Sequence, residues 1–266
     1  MATLSLCMIV RDEAWILDEC LAAARPQVDE LVVVDTGSTD ASREIAARYA
    51  DRLLAVDWCD DFAAARNVSL EAATGDWILV LDADERIAED DFRRLRAAMG
   101  DPAFDGYYLP QQNYGNDPLA KGWRPVGDDA PLARGFEGYT VNPILRLFRR
   151  RDDIRYQGRI HEIVDGTIAA ARVGELAVPL HHYVDANPQR PRLLRGRRYL
   201  AMMEAEIARG ADGRLLAIAA GTALYAAGDC RKARDYFLRA AEAGYKPAES
   251  REGAAEAAYR GAEFGV

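Results

Sequence analysis

The chain has 266 residues, of which 50% are hydrophobic and 29% are charged, and this composition excludes a disordered, collagenous or coiled-coil protein. Its 34 Lys and Arg residues against 43 Asp and Glu residues give a formal charge of −9, which argues against a general nucleic-acid-binding protein. The four cysteines have no Cys-x-x-Cys spacing, so neither a zinc site nor a disulfide framework is indicated and a reducing cytoplasm fits best. The sequence predicts no membrane span and no signal peptide, and therefore a soluble, unprocessed protein.

The first hundred residues alternate short β-branched apolar runs with longer helical stretches, which predicts a doubly wound α/β domain on a largely parallel sheet. The predicted elements in chain order are strand 4–10, helix 12–24, strand 31–34, helix 40–50, strand 52–56, helix 62–73 and strand 76–81. The last strand is continuously apolar from Trp77 to Leu81, which is typical of burial on both faces.

From residue 100 to 143 the periodic pattern weakens and Gly, Pro, Asn and Asp are frequent, which predicts loops at a ligand mouth. These loops carry Tyr107, Tyr108, Tyr114, Trp123 and Tyr139. Strand-like segments return at 144–148 and 175–180, with 158–163 between them. Beyond Asn187 the chain becomes Ala- and Arg-rich and helical, and Pro188 and Pro191 mark the expected boundary between a domain 1–187 and a helical region 188–266.

The helical region contains a window of about 34 residues, starting at Arg214, that matches a tetratricopeptide repeat. Its packing positions hold Gly221, Leu224, Ala233, Phe237 and Ala240. Gly228-Asp229 would be the turn between the two helices of the repeat, and residues 254–264 would start another repeat. An ordinary Ala-rich helical hairpin fits the same residues. Because three repeats are normally needed for a free-standing solenoid, we expect these helices to pack on the α/β domain or on a second copy of the chain.

An acidic segment, Asp82-Ala83-Asp84-Glu85, directly follows the strand predicted to be central. Ligands of open α/β sheets bind at the carboxyl ends of strands, where two carboxylates can hold a hard divalent cation whose remaining ligands are substrate phosphates. Such a cation neutralises charge on a departing diphosphate. A solvated turn after a strand also often contains Asp-x-Asp, so the interpretation depends on the neighbouring motifs.

Two such neighbouring motifs contain polar residues suited to a nucleotide. Asp35, at the end of a predicted strand, can accept a hydrogen bond from a nucleobase N–H, and Asp40 is a candidate helix N-cap. Arg66 offers a rigid guanidinium for a phosphate or a uracil carbonyl. The structural alternatives are a plain capped strand-turn-helix around Asp35 and a surface ion pair of Arg66 with Asp60 or Asp61.

Five segments, taken in order, resemble the inverting family 2 glycosyltransferases of the GT-A fold. They are LCMIVRDEAWILDECL, VVVDTGSTDASREIA, DFAAARNVSLEAATGDWILVLDADERI, GRIHE and LHHY. The resemblance covers about residues 3–185 and is strongest to the bacterial subgroup that carries tetratricopeptide repeats or acts in lipopolysaccharide-core and peptide glycosylation. It implies a GT-A Rossmann-like mixed sheet with helices on both faces, followed by a small all-α tail.

The resemblance also implies a donor site for a nucleotide-activated sugar, and a UDP-sugar is expected. The first Asp of the Asp-x-Asp motif usually contacts the ribose or the sugar, and Asp57 could also face the uridine. Thr36 stands where many members have a second Asp, which leaves open which residue contacts the base. The implied donor residues are Val10, Arg11, Glu13, Asp35, Arg66, Asp82 and Ala83.

For the metal, expected to be Mn²⁺ or Mg²⁺, the resemblance implies Asp84 and a later histidine as ligands. His182 falls at the position of that histidine. Because the histidine is doubled, His181 is a rival, and either one could instead be packed against the core.

For the catalytic base of an inverting transfer, the resemblance implies Glu162, in the segment Ile160-His161-Glu162. His161 would orient the base or contact phosphate. The structural alternative is that Glu162 pairs with Arg159 or Arg155.

The function predicted from the sequence is a metal-dependent inverting glycosyltransferase with an unidentified acceptor, which could be a peptide, a saccharide or lipid-linked glycan, or a natural product. The alternatives are a nucleotide-sugar hydrolase or nucleotidyltransferase, and a non-catalytic repeat scaffold. A homodimer through the helical region is a further expectation. Two arginine groups, Arg149-Arg150-Arg151 and the series from Arg190 to Arg198, could bind an anion, close over the diphosphate, or form solvated surface.

Overall fold

The computed structural model describes residues 2–127, 130–183, 192–210 and 212–263, without the side chains of 192–195 and 263. The chain divides into two compact units. One comprises Met1–Gly158 and Glu162–Asn187, and the other comprises Arg159–His161 and Pro188–Val266. The expected boundary residues Pro188 and Pro191 lie outside the described residues.

The first unit is an α/β domain whose elements alternate along its first hundred residues. Its strands are β1 Leu4–Val10, β2 Glu30–Asp35, β3 Arg52–Ala55, β4 Trp77–Val80, β5 Glu85–Arg86, β6 Gly106–Gly115, β7 Arg124–Pro125, β8 Gly138–Arg149, β9 Val173–Glu175 and β10 Leu180–His182. Its α-helices are α1 Ala14–Ala24, α2 Ser42–Ala47, α3 Phe62–Ala72 and α4 Glu89–Ala98. Up to β4, every predicted strand and helix is present, with bounds shifted by a few residues.

Among the described residues, one mixed sheet holds these ten strands and has the order β3-β2-β1-β4-β8-β6-β10-β5, with β7 beside β8 and β9 beside β6. Strands β3, β2, β1 and β4 run parallel, as expected for β-α-β units. From β4 onward the sheet becomes mixed, because β8 pairs antiparallel with both β4 and β6. This parallel half and mixed half give the Rossmann-like mixed sheet expected of the GT-A fold.

The loops predicted between residues 100 and 143 are wrong for a large part of this region. β6 and β8 form a long antiparallel pair that includes Tyr107, Tyr108, Tyr114 and Tyr139. The turn-forming residues concentrate between β6 and β8, at residues 116–137, whereas Pro110 pairs with Pro143 inside the ladder itself. A proline normally argues against a strand, and for this reason neither β6 nor β8 was predicted over its full length.

The segment 175–180 is also not a single strand. The chain forms the short strand β9, leaves the sheet, and returns as β10 between β6 and β5. Segment 158–163 contributes only an isolated bridge between Gln157 and Ile163. Strands this short contain too few alternating residues for their bounds to be predicted from alternation alone.

The core lies on both faces of the sheet. One face packs β1, β2 and β4 against α1 and α4, with Leu6, Leu17, Leu31 and Leu79 fully buried. The other face packs Cys7, Val32 and Ile78 of the same strands against α3. The central strands therefore alternate their side chains between two apolar layers, which explains the continuous apolar run of β4.

The described part of the second unit contains four α-helices: α5 Arg192–Ile207, α6 Gly213–Thr222, α7 Cys230–Glu242 and α8 Pro247–Glu263. A π-helical turn, Ala223–Ala227, extends α6, and α6 packs on α7, which packs on α8. The predicted turn at Gly228-Asp229 is present. Gly228 has φ of 72°, a conformation that glycine adopts without strain, and Asp229 caps α7 by accepting from Lys232 N.

The next helix was expected to start at residue 254, but α8 begins at Pro247, 34 residues after the start of α6. That spacing equals the length of a tetratricopeptide repeat. The repeat assignment itself stays a prediction. Among the helices of the described ranges, none has the length and apolarity that crossing a bilayer requires.

Candidate functional site

The carboxyl ends of β1, β2 and β4 meet at one edge of the sheet. The register pairs Val10 with Asp35, and Leu81, directly after β4, donates its N–H to Cys7 O. The residues that follow these strands are therefore neighbours, which is where open α/β sheets bind ligands.

The two loops after β1 and β2 are bonded to each other. Asp12 Oδ1 accepts from Thr39 N and Oγ1, and Ser38 Oγ and Ser42 Oγ accept from Asp12 N and Glu13 N. The N-cap residue of α2 is Ala41, one residue after the predicted Asp40, but Asp40 Oδ1 accepts from Ser42 N, the first N–H of the helix. Asp40 Oδ2 accepts from Ala14 N at the start of α1. The polar residues of both motifs thus hold the loops together.

Asp35 is 3% exposed and uses only one of its carboxylate oxygens. Oδ1 accepts from Gly37 N and Ser38 N, at 3.1 Å each, whereas Oδ2 is buried without a partner among the described residues. A buried acceptor without a donor is unfavourable, and a ligand N–H at this position would satisfy it.

The Asp82–Glu85 turn connects β4 to β5 and is braced from inside the protein. Glu85 is fully buried, and its Oε2 accepts from Asp82 N at 2.8 Å. Glu85 Oε1 accepts from Gln111 Nε2 at 2.6 Å and from Arg146 Nη2 at 3.0 Å. The thiol of Cys20 on α1 donates to Glu85 O. Glu85 therefore fixes the backbone that presents Asp82, Ala83 and Asp84.

Asp82 lies between two buried arginines. Arg66 Nη2 is 2.8 Å from Oδ1, and Arg146 Nη2 is 2.6 Å from Oδ2. Desolvation alone would raise the pKa of Asp82, but Arg146 and Arg66 lower it well below its usual range. Asp82 is therefore a carboxylate, and both of its oxygens already accept charge-assisted hydrogen bonds.

Glu162 is joined to this network through Arg66. Arg66 Nε lies 2.5 Å from Glu162 Oε1, and the two side chains are 7% and 10% exposed. The surface pairing of Arg66 with Asp60 or Asp61, and the pairing of Glu162 with Arg159 or Arg155, were the structural alternatives, and neither is found. Asn67, next to Arg66, accepts from Tyr156 N and donates to Tyr156 O, which fixes the segment that leads to Glu162.

Asp84 and His182 face each other, with Asp84 Oδ2 and His182 Nε2 3.6 Å apart. Burial alone would lower the pKa of His182, but the Asp84 carboxylate raises it. His181 is oriented differently. Its Nδ1 lies 2.7 Å from Tyr114 Oη, and its ring stacks on the Tyr114 ring at an interplanar angle of 8°. Of the two histidines, the structure thus brings His182 to the acidic turn and packs His181 among aromatic side chains.

The Asp84–His182 pair fits a single divalent cation. A distance of 3.6 Å is too long for a hydrogen bond, and two coordinate bonds of about 2.1 Å that meet at about 120° span it. Within residues 2–127, 130–183, 192–210 and 212–263, no three His, Cys, Asp or Glu side chains are grouped to hold a metal. A cation at this pair would therefore take its remaining ligands from water or substrate.

The remaining predicted residues are donor-site candidates and two arginine groups. Val10 O accepts from Thr36 N and Oγ1, Glu13 Oε2 accepts from Trp15 Nε1, and Arg11 approaches Asp12 at 3.9 Å. Asp57 is exposed.

The group Arg149-Arg150-Arg151 is structural, because Arg149 and Arg151 pair with the buried Asp105 and Arg150 donates to Gly75 O. Of the later series, Arg197 and Arg198 are exposed, and the side chains of Arg190, Arg192 and Arg195 lie outside the described residues.

Sequence reasoning missed Arg146, Gln111 and Asn113, and it gave Glu85 no role. Asn113 Oδ1 lies 2.6 Å from His182 Nδ1. Arg146 could have been found, since it is the one charged residue in the apolar run from Ile144 to Phe148, and a buried charge needs a partner.

Several proteins with sequences similar to this chain are named glycosyltransferases. The chain is 42% identical over 175 residues to a TPR repeat-containing protein of Synechococcus elongatus, a match over 66% of this chain and 38% of that protein. It is 24% identical to glycosyltransferase SunS of Bacillus subtilis, over 60% of this chain and 34% of that one. It is 29% identical to the lipopolysaccharide core biosynthesis glycosyltransferase LpsC of Rhizobium meliloti, over 65% and 62%. The matches span only about a third to three fifths of these relatives.

Solved structures show the same fold at low identity. TarS 1-349 of S. aureus, in complex with UDP-GlcNAc, superposes with a TM-score of 0.54 and 14% identity, over 97% of this chain and 89% of that one. Glucosyl-3-phosphoglycerate synthase of Mycobacterium tuberculosis superposes with a TM-score of 0.51 and 17% identity, over 76% and 78%. The model of the family described as glycosyl transferase family 2 matches residues 5–170. The α/β domain has the GT-A fold, and the chain belongs to glycosyl transferase family 2.

Proposed function

We propose that this protein is a metal-dependent glycosyltransferase that takes a sugar from a UDP-sugar and transfers it with inversion. The observation that carries the proposal is the Asp84–His182 pair beside the network in which Arg66 joins Asp82 to Glu162. In a family 2 domain this arrangement places a cation-binding pair next to a buried carboxylate that can act as a base.

The donor is proposed to bind at the carboxyl edge of β1, β2 and β4. Asp35 Oδ2, a buried acceptor, is positioned for a nucleobase N–H, and uracil offers one. Asp82, held in place by two arginines, would contact the ribose or the sugar through the oxygen lone pairs that the arginines leave open. The complex of TarS, which has a similar fold, with UDP-GlcNAc supports a uridine nucleotide as the first donor to test.

Asp84 and His182 would hold the metal, and a bound divalent cation supplies positive charge to the leaving diphosphate. Glu162 would remove the acceptor proton. Its Oε1 is bonded to Arg66, and Oε2 has no partner among the described residues. As the acceptor oxygen bonds to the anomeric carbon, the bond from that carbon to the diphosphate oxygen breaks, and UDP leaves with the electron pair. Attack opposite the leaving group inverts the anomeric configuration.

The acceptor is proposed at the level of class: a peptide, a saccharide or lipid-linked glycan, or a natural product. The relative LpsC is named for lipopolysaccharide core biosynthesis, which supports a glycan as one candidate acceptor. The helical unit, with its 34-residue spacing between α6 and α8, is proposed to be tetratricopeptide-like and to hold an acceptor or a second copy of the chain.

Calorimetric titration with UDP tests this proposal, with and without Mn²⁺, on the wild type, Asp84→Asn and the control Asp90→Asn. Asp90 pairs with Arg93 on the surface of α4, and both side chains are at least 80% exposed. We expect Mn²⁺ to strengthen UDP binding to the wild type and the control but not to Asp84→Asn. A UDP affinity that changes neither with Mn²⁺ nor with Asp84→Asn would contradict the proposed role of the metal. Absence of UDP binding would contradict the proposed UDP-sugar donor.

Product analysis distinguishes the enzymatic alternatives. Transfer to an acceptor gives UDP and a glycoside, hydrolysis gives UDP and the free sugar at the same rate with or without acceptor, and a nucleotidyltransferase would release pyrophosphate from a nucleoside triphosphate. We expect acceptor-dependent UDP release with an inverted anomeric proton signal in the NMR spectrum of the product.

A further inference from the structure

Strand β6 directs two amide side chains at the acidic turn and its histidine. Gln111 donates to Glu85 Oε1 at 2.6 Å, and Asn113, two residues later, lies with Oδ1 2.6 Å from His182 Nδ1. Alternate residues of a strand share one face, so both contacts come from the same side of β6. That face therefore supports both Glu85 and His182.

The sheet register makes the second contact direct. β10 pairs with β6 on one side and with β5 on the other, so His182 lies between Asn113 and Glu85 on adjacent strands. Its side chain reaches Asn113 through Nδ1 and faces Asp84 through Nε2. The backbone thus fixes the position of the imidazole, and Asn113 fixes the rotation of the ring.

The tautomer of His182 decides whether it can bind a cation. An amide oxygen only accepts hydrogen bonds, so a ring nitrogen that bonds to Asn113 Oδ1 must carry a proton. In the neutral imidazole the other nitrogen, Nε2, then has its lone pair in the ring plane, on the side of Asp84. The opposite tautomer would direct an N–H at Asp84 and could not coordinate a metal through Nε2.

We propose that Asn113 is a positioning residue that holds His182 in the Nδ1–H tautomer, so that Nε2 and Asp84 together receive the divalent cation. This inference rests on the proposed function only for the cation, because the tautomer can be measured without one. Partners of this kind typically contribute a factor of about 10–100 to metal affinity.

The chain has three histidines, so their side-chain nitrogens can be resolved by two-bond ¹H–¹⁵N NMR correlation. The spectrum is recorded on metal-free protein at a pH where all three imidazoles are neutral. His182 is assigned by its loss in His182→Gln. We expect a protonated Nδ1 and an unprotonated Nε2 for His182 in the wild type and in Asn113→Asp, which keeps the acceptor. A wild-type His182 with its proton on Nε2 would overturn the inference.

Calorimetry with Mn²⁺ in the presence of UDP gives the second readout. Asn113→Leu keeps the side-chain size but has no acceptor, and we expect its Mn²⁺ affinity to fall by about 10–100-fold. Asn113→Asp is expected to retain affinity. The matched control is Tyr114→Phe, which removes the partner of His181 Nδ1 and should leave Mn²⁺ affinity unchanged.

These outcomes separate the inference from the proposed function. If the wild type binds Mn²⁺ with UDP but Asn113→Leu binds it equally well, Asn113 is not a positioning residue and the proposed function stands. If Tyr114→Phe loses affinity and Asn113→Leu does not, His181 is the ligand and the inference is overturned. If the wild type binds no Mn²⁺ with UDP, the proposed metal-dependent function fails, even where the tautomer is as expected.

Discussion

The guanidinium of Arg66 joins Glu162, 96 residues away in the chain, through a contact of 2.5 Å at Nε. Its Nη2 contacts Asp82 at 2.8 Å. One rigid planar group therefore sets the distance between the residue proposed as base and the first aspartate of the acidic turn.

Glu162→Gln removes the proposed base and keeps the shape of the side chain. We expect kcat to fall by about 10²–10⁴-fold, the usual contribution of a general base, while UDP affinity stays within a few-fold of wild type. Steady-state kinetics and calorimetry measure the two effects. Glu175→Gln, at an exposed position on β9, is the control. Full activity of Glu162→Gln would show that another group accepts the proton.

Arg66→Lys keeps a positive charge but loses the planar guanidinium that contacts two carboxylates at once. Misplacement of a catalytic group by about 1 Å can cost about 100-fold in rate, and we expect kcat to fall by that order with a much smaller change in donor KM. Arg48→Lys, which alters an exposed pair with Asp18, should leave both parameters unchanged. A variant with unaltered kcat would mean that the bridge does not position Glu162.

Arg146 neutralises the fully buried Glu85 and one oxygen of Asp82. Arg146→Met leaves the buried Glu85 without its cation and Asp82 with Arg66 alone, so we expect a loss of about 3–5 kcal/mol in the free energy of unfolding, measured by urea denaturation. The double variant Arg146→Met/Glu85→Gln removes one of the stranded charges and should recover part of this loss. If the two substitutions were simply additive, Arg146 and Glu85 would not be energetically coupled.

Asp105 links stability to pH. Its hydrogen bond to Arg172 lowers its pKa, and the nearby charges of Arg151 and Arg149 lower it further. A carboxylate with a lowered pKa stabilises the folded state above its unfolded pKa of about 3.9 and loses this contribution as pH falls through the folded value. Asp105→Asn should therefore unfold at lower urea than wild type at pH 7, and the difference should shrink below about pH 4. A difference that does not change with pH would exclude this linkage.

The sequence predicted the parallel half of the sheet because each of its strands is a compact apolar run flanked by a periodic helix. Asp35, Asp82, Asp84 and Glu162 were chosen as candidate site residues because they occupy strand ends or a motif shared with the family. The mixed half was harder to predict, since its pairing is set by long-range contacts. Pro110 and Pro143, opposite each other in the β6–β8 ladder, look locally like loop residues.

The supporting residues of the site lie mainly on that mixed half, and for this reason they were not predicted. Arg146 and Asn113 acquire their roles only when β8 and β6 enter the sheet beside β4 and β10. Nothing in the local sequence of Asn113 points to His182, 69 residues later. Which of His181 and His182 faces Asp84 likewise depends on the register of β10, because a shift of one residue exchanges the two rings.

Strand β10 comes last of the ten strands in the chain but lies inside the sheet, and this limits how far the chain can be shortened from its C-terminal side. The family match ends at residue 170, whereas β10 begins at Leu180 and fills the gap between β6 and β5. A protein truncated at the family boundary would expose the backbone edges of both strands, which invites aggregation, and would leave Asp84 and Asn113 without His182. An expressed fragment should therefore extend at least through Tyr183, which is fully buried and donates its N–H to Asp84 O.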